Sequence, residues 1–124
     1  MKEIKNLKEF KRMMRSGKIV LLNFYASWCR PCSTNSPIIE KLAVRHHGDF
    51  EIAKVNVDDH KKLVQDFGVR NIPALFFMKD GEVIEYLSGV QNETELETKI
   101  QKHKSENLIF DYSHPSDCFW SLIF

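Results

Sequence analysis

Only three of the 124 residues are cysteine and only five are glycine, and each scarcity closes a class of protein. Three cysteines are too few to staple a small secreted scaffold, and an odd number leaves at least one unpaired. The glycines never fall into a GxGxxG pattern, so the chain brings no dinucleotide-binding loop of its own. No apolar run approaches the roughly 18 residues that a membrane-spanning helix needs. The opening residues, 1–8, are charged and lack the apolar segment of a secretory signal. A soluble cytoplasmic protein is the expectation. A net charge of +1 argues against general nucleic-acid affinity. That charge is uneven: residues 1–18 hold seven Lys/Arg against two Glu, a local +5 that leaves −4 for the remainder. Such a flank reads first as the solvated face of a helix and second as a surface that steers acidic partners.

What is present follows two hydrophobic periods. Ile4, Leu7, Phe10 and Met14 recur at helical spacing, Asn6 with Glu9 resembles a capping box, and Gly17 stops the helix. Residues 19–25 are almost continuously apolar, as a central strand buried on both faces requires. A helix is predicted from Pro31 to about His46, kinked at Pro37. Phe50 to Val57 reads as a strand. Asp58 or Asp59 is placed to cap a short helix with Leu63, Val64 and Phe67 inward and Gly68 at its end. Ala74 to Met78 and Glu82 to Ser88 flank an Asp80-Gly81 hairpin turn. Asn92 with Glu95 caps a last helix that runs to about Lys102. With a short strand over residues 2–5, the order is β-α-β-α-β-α-β-β-α. That order gives a three-layer α/β/α sandwich with a central mixed sheet flanked by helices.

The chemistry concentrates in Trp28-Cys29-Arg30-Pro31-Cys32, at a strand-to-helix turn. Thiolate is the nucleophile of thiol–disulfide exchange, so a working cysteine needs a depressed pKa and a reachable sulfur. Cys29, at the helix start, is offered free backbone N–H groups and the positive end of the helix dipole. Cys32, one turn on and deeper, is placed to attack a mixed disulfide formed at Cys29. Pro31 lies where its missing N–H costs nothing and it stiffens the ring. Arg30 adds a positive charge beside Cys29. A CxxC pair is also half of a metal site, but closing one needs two further ligands. Cys118 and the histidines at 46, 47, 60, 103 and 114 show no ligand spacing, so no metal is expected.

From about Lys2 to Lys102 the chain resembles the thioredoxin family in element order and in several separate motifs. The resemblance divides it into a thioredoxin domain over 1–104 and an apolar extension over 105–124. It implies that Pro73, in Asn71-Ile72-Pro73, is a cis proline beside the disulfide, with Ile72 as the backbone that docks a substrate strand. It likewise implies that Trp28 and Gly89 form substrate surface, that Gly81 serves the hairpin, and that Lys54 lies close beneath the redox pair.

Three features depart from the family pattern. Asn23 stands where a buried aspartate usually accepts the proton of the deeper cysteine. Asparagine keeps the shape but cannot ionise, so resolution should slow and both cysteine pKa values should fall. Arg30 replaces a usual glycine and should make the disulfide somewhat more oxidising. The tail carries Leu108, Ile109, Phe110, Tyr112, Phe119, Trp120, Leu122, Ile123 and Phe124, a composition that calls for docking or self-association. Cys118 reads as a bystander thiol.

The implied activity is reduction of protein disulfides: Cys29 attacks, Cys32 resolves, and no cofactor is bound beyond the Cys29–Cys32 disulfide. The implied partners are disulfide-bearing client proteins and an NADPH-dependent thioredoxin reductase as electron donor, with no nucleic acid and no membrane. The alternatives are a thioredoxin-fold binding subunit that leaves its thiols idle, and an oxidase or isomerase of disulfides.

Overall fold

A computed structural model describes the backbone of residues 1–48 and 50–113, and side chains up to residue 107. Among the described residues nine elements follow one another: β1 (Lys2–Glu3), α1 (Leu7–Met14), β2 (Ile19–Tyr25), α2 (Arg30–Arg45), β3 (Phe50–Asn56), α3 (Lys61–Phe67), β4 (Ala74–Lys79), β5 (Glu82–Ser88) and α4 (Glu93–Ser113). The five strands form one sheet in the order β1-β3-β2-β4-β5. The β1/β3 and β2/β3 pairs are parallel, and β2/β4 and β4/β5 are antiparallel. The expected mixed sheet is therefore present, with β2 at its centre.

Alternation along β2 builds the two faces of the core. Val20, Leu22 and Phe24 point to one side, where they join Met13 of α1, Leu63 of α3 and Phe76 of β4. Ile19 and Leu21 point to the other, against Ile39 and Leu42 of α2 and Leu96 and Ile100 of α4. A strand buried on both faces has no polar side to show water, which is why residues 19–25 read as a continuous apolar run.

Turn chemistry fixes the ends of elements. Asn6 Oδ1 accepts from the Glu9 N–H at 2.9 Å, and Asn92 Oδ1 from the Glu95 N–H at 3.1 Å, so the asparagine half of each expected capping box forms. Asp80 and Gly81 both take positive φ, 51° and 81°, the backbone that a two-residue primed hairpin turn demands. Gly68 ends α3 in the left-handed conformation.

Three local expectations are corrected. Neither Asp58 nor Asp59 caps α3: its N-cap is His60, without a side-chain bond to the helix. The Asp58 carboxylate accepts a bond from Trp28 instead. In α1 the core face is carried by Met13 with half-buried Phe10 and Met14. Ile4 enters the core from outside the helix, and Leu7 is largely exposed. The last helix does not stop near Lys102 but continues to Ser113. No glycine or proline intervenes between Asn92 and Pro115, so nothing in the backbone ends it sooner. The side chains of Leu108, Ile109, Phe110 and Tyr112, and all of residues 114–124 including Cys118, lie outside the described part of the chain.

Candidate active site

The site is built where β2 hands over to α2. Cys29 has extended backbone angles and is the N-cap of α2, and its Sγ accepts the Cys32 N–H at 3.2 Å. A capping position normally filled by a hydroxyl or carboxylate oxygen is thus filled by sulfur. The helix N-terminus directs a donor at the atom that would carry charge as a thiolate. Arg30 and Pro31 open the helix, Pro31 within its first turn. Cys29 and Cys32 form a disulfide, with their Cα atoms 5.3 Å apart. Both residues are buried, at 5% and 6% exposure, so the expected contrast between a reachable first cysteine and a deeper second one is absent from residue exposure.

Two other loops, one after the other, extend from this disulfide. The Ile72–Pro73 bond is cis, and the Ile72 carbonyl lies 3.8 Å from Cys29 Sγ. The Gly89 N–H donates to the Pro73 carbonyl at 2.9 Å, which brings the segment after β5 alongside the proline. Gly89 has φ of +81°, open to glycine and strained for other residues. Trp28 is 69% exposed, the most open aromatic ring beside the pair, and its indole N–H donates to Asp58 Oδ2 at 2.9 Å. Cys29 and Cys32 share a small apolar cluster with Ala26, Tyr25, Val57 and Ile72. Trp28, Ile72, Pro73 and Gly89 are therefore brought together around the disulfide.

Asn23, Lys54 and Glu3 occupy one row across β2, β3 and β1. Asn23 is 4% exposed, and its Oδ1 finds no hydrogen-bond partner among the described residues. Lys54 reaches away from it, 3.7 Å from Glu3 Oε1 and over the Tyr25 ring. The Tyr25 hydroxyl donates to the Glu3 carboxylate, 2.8 Å from each oxygen. Burial first, and then that carboxylate, push the Tyr25 phenol up to about 12. It stays protonated through the physiological range.

Some neighbours of the site were not singled out by the sequence. Asp58 orients Trp28 across 30 residues of chain, and no local pattern announces that pairing. Asn35 is fully buried one turn below Cys32, and its Oδ1 accepts the Gln91 N–H at 3.1 Å. Its signal was available: a polar residue in the inward row Cys32, Asn35, Ile39, Leu42 of α2. Among the described residues no group of three or more His, Cys, Asp or Glu is placed to hold a metal. No helix among them is long and apolar enough to cross a membrane.

The sequence pattern of the family described as Thioredoxin matches residues 2–102. The chain is similar to a thioredoxin of Chlorobaculum thiosulfatiphilum, 37% identical over 91 residues that cover 73% of this chain and 84% of that one. It is also similar to a mitochondrial thioredoxin of Bos taurus, 35% identical over 91 residues that span 73% of this chain and 55% of that one. Among solved structures, a thioredoxin of Malassezia sympodialis superposes with a TM-score of 0.76 at 30% identity, covering 83% of this chain and 92% of that one.

Proposed function

This chain belongs to the thioredoxin family, and from that premise we propose the roles of the groups around its disulfide. The protein is a thiol–disulfide oxidoreductase with protein-disulfide reductase activity, and its redox group is the Cys29–Cys32 disulfide itself. In the proposed cycle the dithiol form begins each turnover. The Cys29 thiolate attacks one sulfur of a client disulfide, forms a mixed disulfide and expels the other client sulfur as a thiolate. Cys32 then loses its proton and attacks Cys29 Sγ, which closes the intramolecular disulfide and releases the second client thiol. Two electrons pass from the pair to the client, and a separate reductase returns them.

The observation that carries the assignment of Cys29 as attacker is the Cys32 N–H aimed at Cys29 Sγ at 3.2 Å. A donor fixed at the start of a helix favours the thiolate over the thiol and lowers the pKa of that sulfur. Arg30 beside it acts in the same direction, and Pro31 holds the turn. Trp28, Ile72, Pro73 and Gly89 form the client surface, with the Ile72 backbone pairing with an extended client segment. Asn23 supplies shape without an acid, so the Cys32 proton leaves to water, and Lys54 tunes the field beneath the pair through its contact with Glu3.

The remaining assignments concern the setting. A cytoplasmic location suits a pair that must be returned to the dithiol state, with disulfide-bearing proteins as clients and an NADPH-dependent thioredoxin reductase as electron donor. A fluorescent fusion that localises to mitochondria instead would overturn the compartment. The domain is taken as 1–104, and the apolar extension 105–124 as a self-association surface. Light scattering with and without residues 106–124 checks the latter, and a mass that falls only by the deleted residues would refute it.

Turnover of a protein disulfide with dithiothreitol as reductant tests the function. Wild-type protein should turn over and Cys29→Ser should be inactive. A variant that performs as well as wild type would leave only a binding subunit.

A further inference from the structure

We propose that Asn35 is a positioning residue. It holds the Gly89–Gln91 wall of the client surface against the redox helix and thereby sets affinity for protein disulfides without taking part in the exchange. The inference rests on the reading of Gly89 and the Ile72–Pro73 bond as client surface.

The support is a continuous chain of hydrogen bonds. Asn35 Oδ1 accepts the Gln91 N–H at 3.1 Å. The Gln91 side-chain amide in turn donates to the Gly89 carbonyl at 2.9 Å and the Ser88 carbonyl at 3.2 Å. The Gly89 N–H donates to the Pro73 carbonyl at 2.9 Å. A buried amide one turn below Cys32 is thus tied, through one glutamine, to the loop that lies beside the cis proline. That loop, residues 89–92, presents the largely exposed Val90, which with Trp28 offers a client apolar contact.

Packing alone gives no reason for an amide here. The other inward positions of α2 after Cys32 are Ile39 and Leu42, and Asn35 Nδ2 is buried without a partner among the described residues. An apolar side chain of similar volume would leave no such orphan. What it would lose is the acceptor for Gln91, so the tether to the client-facing loop is the function left for the amide. A loop held in one place binds an extended segment without first being ordered, and releasing it weakens binding rather than chemistry.

The test compares a protein disulfide, insulin, with a small one, hydroxyethyl disulfide, both recycled by dithiothreitol. In Asn35→Leu the KM for insulin should rise about fivefold to tenfold, the loss expected from one buried hydrogen bond and a stranded donor. The kcat should stay within about twofold. Reduction of hydroxyethyl disulfide and the reduction potential should not change. Gln91→Pro, which removes the backbone N–H that Asn35 accepts and leaves α2 untouched, should raise the same KM at least about threefold and remains decisive if Asn35→Leu does not fold. The double variant should add little to Asn35→Leu, because both release one loop. Equal slowing with both disulfides, or an unchanged KM in a folded variant, would overturn the proposal. Failure of wild-type protein to reduce either disulfide would instead overturn the oxidoreductase reading beneath it.

Discussion

Replacing Asn23 by aspartate restores the acid that the family usually carries, and the structure gives the consequence a size. The side chain is 4% exposed and its Oδ1 has no partner among the described residues. A carboxylate there would give up hydration and gain no donor in return. Burial of this kind raises an aspartate by about two to three units from its ordinary value near 3.9. At about 1.4 kcal/mol per unit, that is a loss of roughly 3–4 kcal/mol once the group is ionised. Lys54, the neighbour in the same row, would offset part of it, although it already faces Glu3 at 3.7 Å.

A carboxyl whose folded pKa is raised is neutral in both states at low pH. The Asn23→Asp variant should therefore come close to wild type near pH 4 and lose stability progressively as pH rises from about 4 to about 6–7, with the full loss above. Urea unfolding of the oxidised protein at pH 4 and pH 8.5 reads this directly. With a slope of about 1–1.5 kcal/mol per molar urea, the midpoint should fall by about 2–4 M at the higher pH. The new carboxylate also gives the Cys32 proton an acceptor, so mixed disulfides should resolve about tenfold faster or more above its pKa. A difference from wild type that is the same at both pH values, or an unchanged resolving rate, would refute the role proposed for Asn23.

Three other outcomes are expected. Arg30→Gly removes a cation beside the thiolate and should shift the reduction potential negative by about 10–20 mV, the equivalent of roughly 0.5–1 kcal/mol at a solvated position. A shift of opposite sign in a glutathione-buffered redox titration would contradict the reasoning. Trp28→Ala should raise the KM for a protein disulfide about tenfold and leave small disulfides unaffected, and equal effects on both would remove the ring from the client surface. Glu97 joins α4 to α2. Burial pushes its carboxyl up, but bonds with Arg45, His46 and Gln101 outweigh that and hold it at about 2, down from 4.5. A depressed carboxyl stabilises the fold above its unfolded pKa, and the contribution fades as pH falls from about 5 towards 2. After discounting for solvent at a partly exposed side chain, Glu97→Gln should cost about 1–2 kcal/mol at pH 7 and almost nothing at pH 2, and a difference independent of pH would refute the pairing.

The sequence made the framework legible wherever one local rule decided the outcome. Asn6 and Asn92 sit three residues before the N–H groups they cap, and the Asp80-Gly81 pair has the backbone tolerance its turn needs. The run over 19–25 can be buried on both faces only at the centre of a sheet. The redox pair was equally plain, because CxxC spacing and the strand-to-helix turn lie within one short segment. What escaped depends on elements meeting at a distance. Asp58 resembled a helix cap because aspartate there fits a cap, and only the arrival of Trp28 from 30 residues away gives its carboxylate another donor. The buried His46 and His103 find Glu97 and Glu85 on other elements, across 51 and 18 residues. Asn35 could be seen as an odd polar residue on an inward face, but its partner Gln91 lies 56 positions away.

Capture of the mixed disulfide distinguishes the attacking sulfur from the resolving one. With Cys32→Ser, incubation with an oxidised protein client should accumulate a one-to-one adduct, and peptide mass spectrometry should place the new bond at Cys29. The converse variant, Cys29→Ser, should accumulate none. An adduct that forms at Cys32, or in neither variant, would contradict the assignment of position 29 as the attacking sulfur.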